Sequence, residues 1–173
     1  MPVNYFLTII AKEDILSLQS HKILTAIHMF LHTFYTWILA NILHPVMFFL
    51  ATLVMGEAFG FNQNLFENYF LYLVYSLFIS VPCLFLGWLS LYIVLATPNP
   101  DDAKFVIWLV TAPALVLFEF LIILSLFDLI ELKPLLFSLP GIAATGISIL
   151  IRYSQFNKLI HIPKIENHET NLV

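Results

Sequence analysis

Charge is what this chain has least of. Only 10% of its 173 residues are Asp, Glu, Lys or Arg, against about 25% in soluble domains, while 61% are apolar. A water-soluble globule is excluded by that balance. Disorder is excluded as well, because 17 Phe, 7 Tyr and 3 Trp cannot be left solvated. Cysteine is nearly missing: Cys83 stands alone and has no intramolecular disulfide partner, so pairing says nothing about redox compartment. No Lys/Arg cluster is present and the net charge is −4, which removes the electrostatic basis for binding nucleic acid. Nucleophile motifs, glycine-rich phosphate loops and paired carboxylates at helical spacing are absent too.

What is present reads as an all-α integral membrane protein with a single membrane domain over 1–173. The apolar run from Val3 to Ile10 precedes the first basic residue, Lys12. A signal peptide places its positive residues first, so the expectation is an uncleaved chain. No charge falls between Lys22 and Glu57, from Asn68 to Pro100, or from Pro134 to Ile151, and only Glu119 interrupts the stretch from Phe105 to Phe127. A spanning helix needs about 20 apolar residues. Spans are expected over about 37–57, 66–97, 103–128 and 134–153, with a polar cytoplasmic tail over 154–173, disordered or ordered by a partner.

The first uncharged stretch is too long for one span and too short for two. At 100° per residue, Asp14, Ser17, His21, Thr25, His28, His32 and Thr36 fall within about 100° of arc. Residues 13–35 are therefore expected as an amphipathic interfacial helix with its polar stripe in water, Trp37 marking the headgroup level. The alternative is one long tilted helix over 23–57. With four spans and the N-terminus inside, Lys12, Lys22, Lys104, Arg152, Lys158 and Lys164 lie on the inner side, and only Lys133 lies outside. This bias predicts both termini in the cytoplasm, in a plasma membrane of the bacterial inner-membrane kind.

Helices in lipid associate through small residues. Ser76, Ser80, Cys83, Gly87 and Ser90 form one seam, and Gly141, Ala144, Thr145 and Ser148 another. Either invites a helix of the same chain or of a second copy. The stretch 66–97, about 48 Å long at 1.5 Å per residue, must tilt, kink at Pro82 or project from the membrane. Pro45, Pro82, Pro113 and Pro140 put one proline in each span, each freeing a carbonyl.

Glu119 is the residue most open to a chemical role. A carboxylate at mid-membrane depth costs several kcal/mol and is expected neutral, hydrated or paired. It is a candidate proton or cation site, with His44 as partner by elimination. The plainer reading is a packing carboxyl bonded to a freed carbonyl or a serine. Asp128, Glu131, Glu57 and Glu67 are candidates for an outer acidic vestibule, or simply solvated ends. His28 and His32, four apart on a helix, have a spacing that can hold a metal; a wet stripe on an interfacial helix is the simpler account. Cys83, mid-membrane in apolar surroundings, is expected to be inert.

No cofactor is expected, and the lipid bilayer is the first partner. With tiny loops and little extramembrane chain, the leading expectation is a non-enzymatic, homo-oligomeric membrane subunit. It would anchor or regulate a cytoplasmic protein partner, sense membrane state or form a pore. One alternative is a proton or cation channel or transporter using Glu119. Another is a subunit of a membrane enzyme with histidine-ligated metal or haem.

Overall fold

Inside lipid the backbone finds no water, so each N–H and C=O must be satisfied within its own segment or by a neighbour, and the α-helix does this for every residue. The structure, a computed structural model, describes residues 3–55, 65–126, 135–136 and 138–161. Among these the regular elements are all helices: α1 (Val3–Met55), α2 (Leu65–Ile79), α3 (Val81–Ala96), α4 (Asp101–Leu126), α5 (Ser138–Ile151) and α6 (Tyr153–Ile160). Two stretches are long and apolar enough to cross a membrane, Lys22–Val54 in α1 and the whole of α4. The pair formed by Tyr69–Ile79 and Val81–Ala96 passes the same test as one broken span bent by 52°. The 14 residues of α5 are apolar but shorter than a full span.

Helix α1 runs through residues 35–37 without a break. A division into an interfacial helix over 13–35 and a span from 37 therefore has no counterpart in the backbone, and Lys22–Val54 lies close to the long-helix alternative over 23–57. The reason is local. Thr33 Oγ1 donates to the Met29 carbonyl at 3.0 Å and Thr36 Oγ1 to that of His32 at 2.8 Å, so these hydroxyls need no water. His32, Thr33 and Thr36 are buried, which turns this part of the expected wet stripe into protein interior.

The α2–α3 break falls at Ser80, two residues before Pro82. Proline has no N–H to continue the ladder and its ring crowds the preceding turn, which accounts for the bend. At the far end, Thr97 closes α3 in extended backbone, as residues preceding proline prefer, and α4 opens with Asp101 and Asp102 at its positive end.

Helices α1, α3, α4 and α5 form a ring in which α1 packs on α3 and α5, and α4 on the same two. Helix α2 lies along α1, and α6 folds back on α1, α4 and α5. The apolar core sits at the α6 end: Met29, Leu91, Val94, Leu95, Trp108, Ala112 and Ile149 surround Phe156 and Leu159. The expected tail thus begins as a docked helix, and residues 162–173 lie outside the described residues. Large apolar side chains cover the outside, with Val54 85% and Phe78 76% exposed. An apolar surface this extensive is unsuited to water and suits lipid.

Close approach fixes α5 in the ring. A Cβ at Gly141 would stand 3.2 Å from Val116 Cγ1 and 3.8 Å from His44 Cδ2, whereas one at Gly146 would meet nothing within 4 Å. Gly141→Leu is expected to cost about 1–3 kcal/mol through overpacking, and Gly146→Leu much less. Unfolding free energies of the two variants in mixed micelles check the difference.

Candidate functional site

A cavity of about 330 Å³ opens between α1, the α2–α3 bend, α4 and α5. Its polar lining includes residues far apart in sequence: Trp37, Asn41 and His44 on α1, Ser76 and Ser80 at the bend, Glu119 on α4, and Ser138 and Thr145 on α5. On α1 the spacing of four and then three places Trp37, Asn41 and His44 on one helical face.

The hydrogen bonds form a connected cluster. Trp37 Nε1 donates across to Ser80, whose carbonyl oxygen lies 3.0 Å away and whose hydroxyl lies 2.9 Å away. Asn41 Nδ2 donates to the Trp37 carbonyl at 2.9 Å. The Asn41 Oδ1 atom accepts from Ser76 Oγ and lies 3.1 Å from Ser80 Oγ, which is also 2.6 Å from the Ser76 carbonyl. His44 Nδ1 is 3.2 Å from Ser76 Oγ. Since the Ser76 proton is directed to Asn41, Nδ1 of His44 is the donor in this contact. A neutral His44 then carries its proton on Nδ1 and leaves Nε2 as an acceptor. This tautomer is assigned from the network.

Glu119 enters the cavity from the opposite wall. Its carboxyl is hydrogen-bonded by the side chain and backbone of Cys83, while Oε1 is buried and has no hydrogen-bond partner. The expected pair, Glu119 and His44, therefore line one cavity. Trp37 belongs to this cluster: its part-buried indole N–H needs an acceptor, and the bend supplies Ser80.

The small-residue seams pack within the chain. Ser76 and Ser80 bond to α1 side chains, and Cys83 Sγ approaches the Leu115 carbonyl at 3.6 Å. A Cβ on Gly87 would lie 3.3 Å from Thr33, and Ser90 is half-buried. On α5, Ala144 and Ser148 are fully buried, Ser148 Oγ donates to the Ala144 carbonyl at 2.7 Å, and Thr145 lines the cavity.

His28 and His32 share a different cavity, near α6 and lined also by Arg152 and Lys158. Among the described residues no group of three His, Cys, Asp or Glu side chains is placed to hold a metal, and neighbouring cations disfavour one. Of the proposed acidic vestibule, Glu57, Asp128 and Glu131 lie outside the described residues and Glu67 is on α2.

Asn41 and Arg152 are the residues whose roles the sequence did not bring out. Asn41 carries no charge, but its position four residues after Trp37 and three before His44 is the signal that could have marked it. Asn41→Leu removes the shared acceptor of two serines and is expected to cost about 1–3 kcal/mol. A lower unfolding free energy in micelles, with a loss of slow-exchanging Trp37 indole protons, checks it.

Compared with protein-family models, curated proteins and solved structures, the chain matches none, so the site is read from its own chemistry.

Proposed function

We propose that this chain is a non-enzymatic membrane protein of four spans, both ends on the inner side, that takes up a proton or small cation at Glu119. The observation that carries the reading is the Glu119 Oε1 atom, buried without a hydrogen-bond partner on the wall of a cavity that His44 also lines. An acceptor left unsatisfied in a low-dielectric interior is costly, and a proton or cation arriving there relieves that cost. His44 adds a second acceptor through Nε2.

Further support comes from the ring of four helices, its apolar exterior and the six-to-one division of Lys and Arg between the assigned sides. The bend at Ser80 provides a hinge beside the cavity. The reading as an oligomeric subunit has no feature of comparable specificity, because the small-residue faces pack inside the chain.

Purified protein in liposomes with an imposed pH gradient tests the reading. Dissipation of the gradient, or of a potassium or sodium gradient, faster than in empty liposomes is the expected result. Vesicles indistinguishable from empty ones under all three gradients contradict it.

A further inference from the structure

The second cavity, about 430 Å³, lies near the α6 end of the bundle, between α1 and the α5–α6 corner. Its lining includes Arg152, Lys158, His28, His32 and Gln155, and among the described residues no Asp or Glu. Arg152 is the one arginine of the chain. Its guanidinium lies over the Tyr35 ring, 5.3 Å from the centroid, and its Nε is buried without a hydrogen-bond partner. His32 is 5% exposed, and neither ring nitrogen has a partner. His28 lines the rim and donates through Nδ1 to the Leu24 carbonyl at 2.7 Å, so its proton is already engaged and Nε2 is an acceptor. Among the described residues both ion pairs converge on Asp101, from Lys104 and His161, so neither Arg152 nor Lys158 is matched to an acid there.

Among the described residues such a set of groups has no counter-anion in the cavity lining. A guanidinium steadied on an aromatic ring presents a rigid planar fork that fits phosphate oxygens two at a time. A buried imidazole with two unpaired nitrogens offers a donor beside it, and Lys158 adds a mobile positive charge at the rim. Carboxylates would match the charge equally, but the donors of Arg152, Lys158 and His32 around one cavity are better used by the tetrahedral oxygens of a phosphate.

We infer that this cavity is a binding site for a phosphate-bearing anion, held by Arg152 and Lys158 with His32 as a hydrogen-bonding partner. Where a membrane helix ends, basic pockets between helices accept anionic lipid headgroups, and the same chemistry holds a free phosphate. The site is separate from the Glu119 cavity and does not depend on the function proposed for it.

The test uses delipidated full-length protein in a neutral detergent, titrated in parallel with inorganic phosphate, with phosphatidylglycerol and with phosphatidylcholine. Phosphorus line broadening and the thermal unfolding midpoint are the readouts. Wild type is expected to bind phosphatidylglycerol more tightly than phosphatidylcholine and to rise in midpoint with it. A matching response to inorganic phosphate assigns the site to phosphate as such, and its absence assigns it to lipid. Arg152→Gln is expected to weaken binding by about tenfold or more, as for loss of one charge-assisted hydrogen bond. Equal affinity in wild type and Arg152→Gln, or no response to phosphatidylglycerol or inorganic phosphate, overturns the inference. Should Arg152→Gln fail to fold, the exposed Lys158→Gln decides: weaker binding upholds the site and unchanged affinity overturns it.

Discussion

Liposomes carrying Glu119→Gln are expected to hold an imposed ion gradient as long as empty vesicles, while the variant folds as well as the wild type. Glutamine keeps the shape of the side chain and its contact beside Cys83, so packing around α4 is preserved. It has no proton to exchange near neutral pH and no charge with which to attract a cation. The loss is therefore one of function alone, to background, and Glu119→Asp retains part of the flux because the carboxyl survives one methylene shorter. The unfolding midpoint supplies the control. A gradient lost equally fast through wild type and Glu119→Gln moves the pathway elsewhere, whatever the stability of the variant.

The second large effect concerns how α6 is held. Phe156 is fully buried, its ring 5.4 Å from that of Phe105 and 6.0 Å from that of His32. Leu159 joins the same core, and His161 at the helix end reaches Asp101 at 3.9 Å. The last contact involves two well-exposed groups and contributes little, so docking rests on the two apolar side chains. An eight-residue helix is not stable in isolation. Phe156→Ala is expected to cost about 3–5 kcal/mol, enough to release α6 while the four-helix ring persists. Amide exchange and protease cleavage within 153–160 should then rise by more than about a hundredfold, every 1.4 kcal/mol being a factor of ten. Unchanged exchange there would mean that α6 is held by something other than these contacts. Because Arg152 caps this helix and Lys158 lies on it, the same variant should also loosen the basic cavity.

Much of the architecture was legible because apolar length and charge placement act along the chain. Helix α4 begins at the acidic Asp101–Asp102 turn, and its extent follows from an apolar run that a single glutamate interrupts. The long α1 was harder to read. Its stripe of His and Thr residues has the period of a wetted face, yet Thr33 and Thr36 satisfy themselves on carbonyls four residues back. The periodicity is the same whether a stripe faces water or protein, and only tertiary packing decides between them. Helix α6 was missed for a related reason, since Tyr153–Ile160 is polar on average and its two anchoring residues, Phe156 and Leu159, acquire meaning only when the chain turns back.

The Glu119 site was half legible. A lone acid in an apolar run is conspicuous, and elimination led to His44, which lines the same cavity. The intervening polar cluster was not, because hydrogen bonds joining Trp37 and Asn41 to serines about 40 residues away depend on the bend at Ser80. Serines that read as small packing residues became donors to Asn41 Oδ1. In a membrane the two roles coincide, because a hydroxyl is small and also needs a partner.

The most direct measurement is the infrared difference spectrum of the protein in lipid as pH is varied, with wild type and Glu119→Gln compared. If Glu119 exchanges a proton with the cavity, a carboxylic C=O band interconverts with a carboxylate band in the wild type, and the pair is missing from the variant. A Glu119 band that keeps its position and intensity across the whole range in which the protein stays folded would show a carboxyl locked away from any proton pathway.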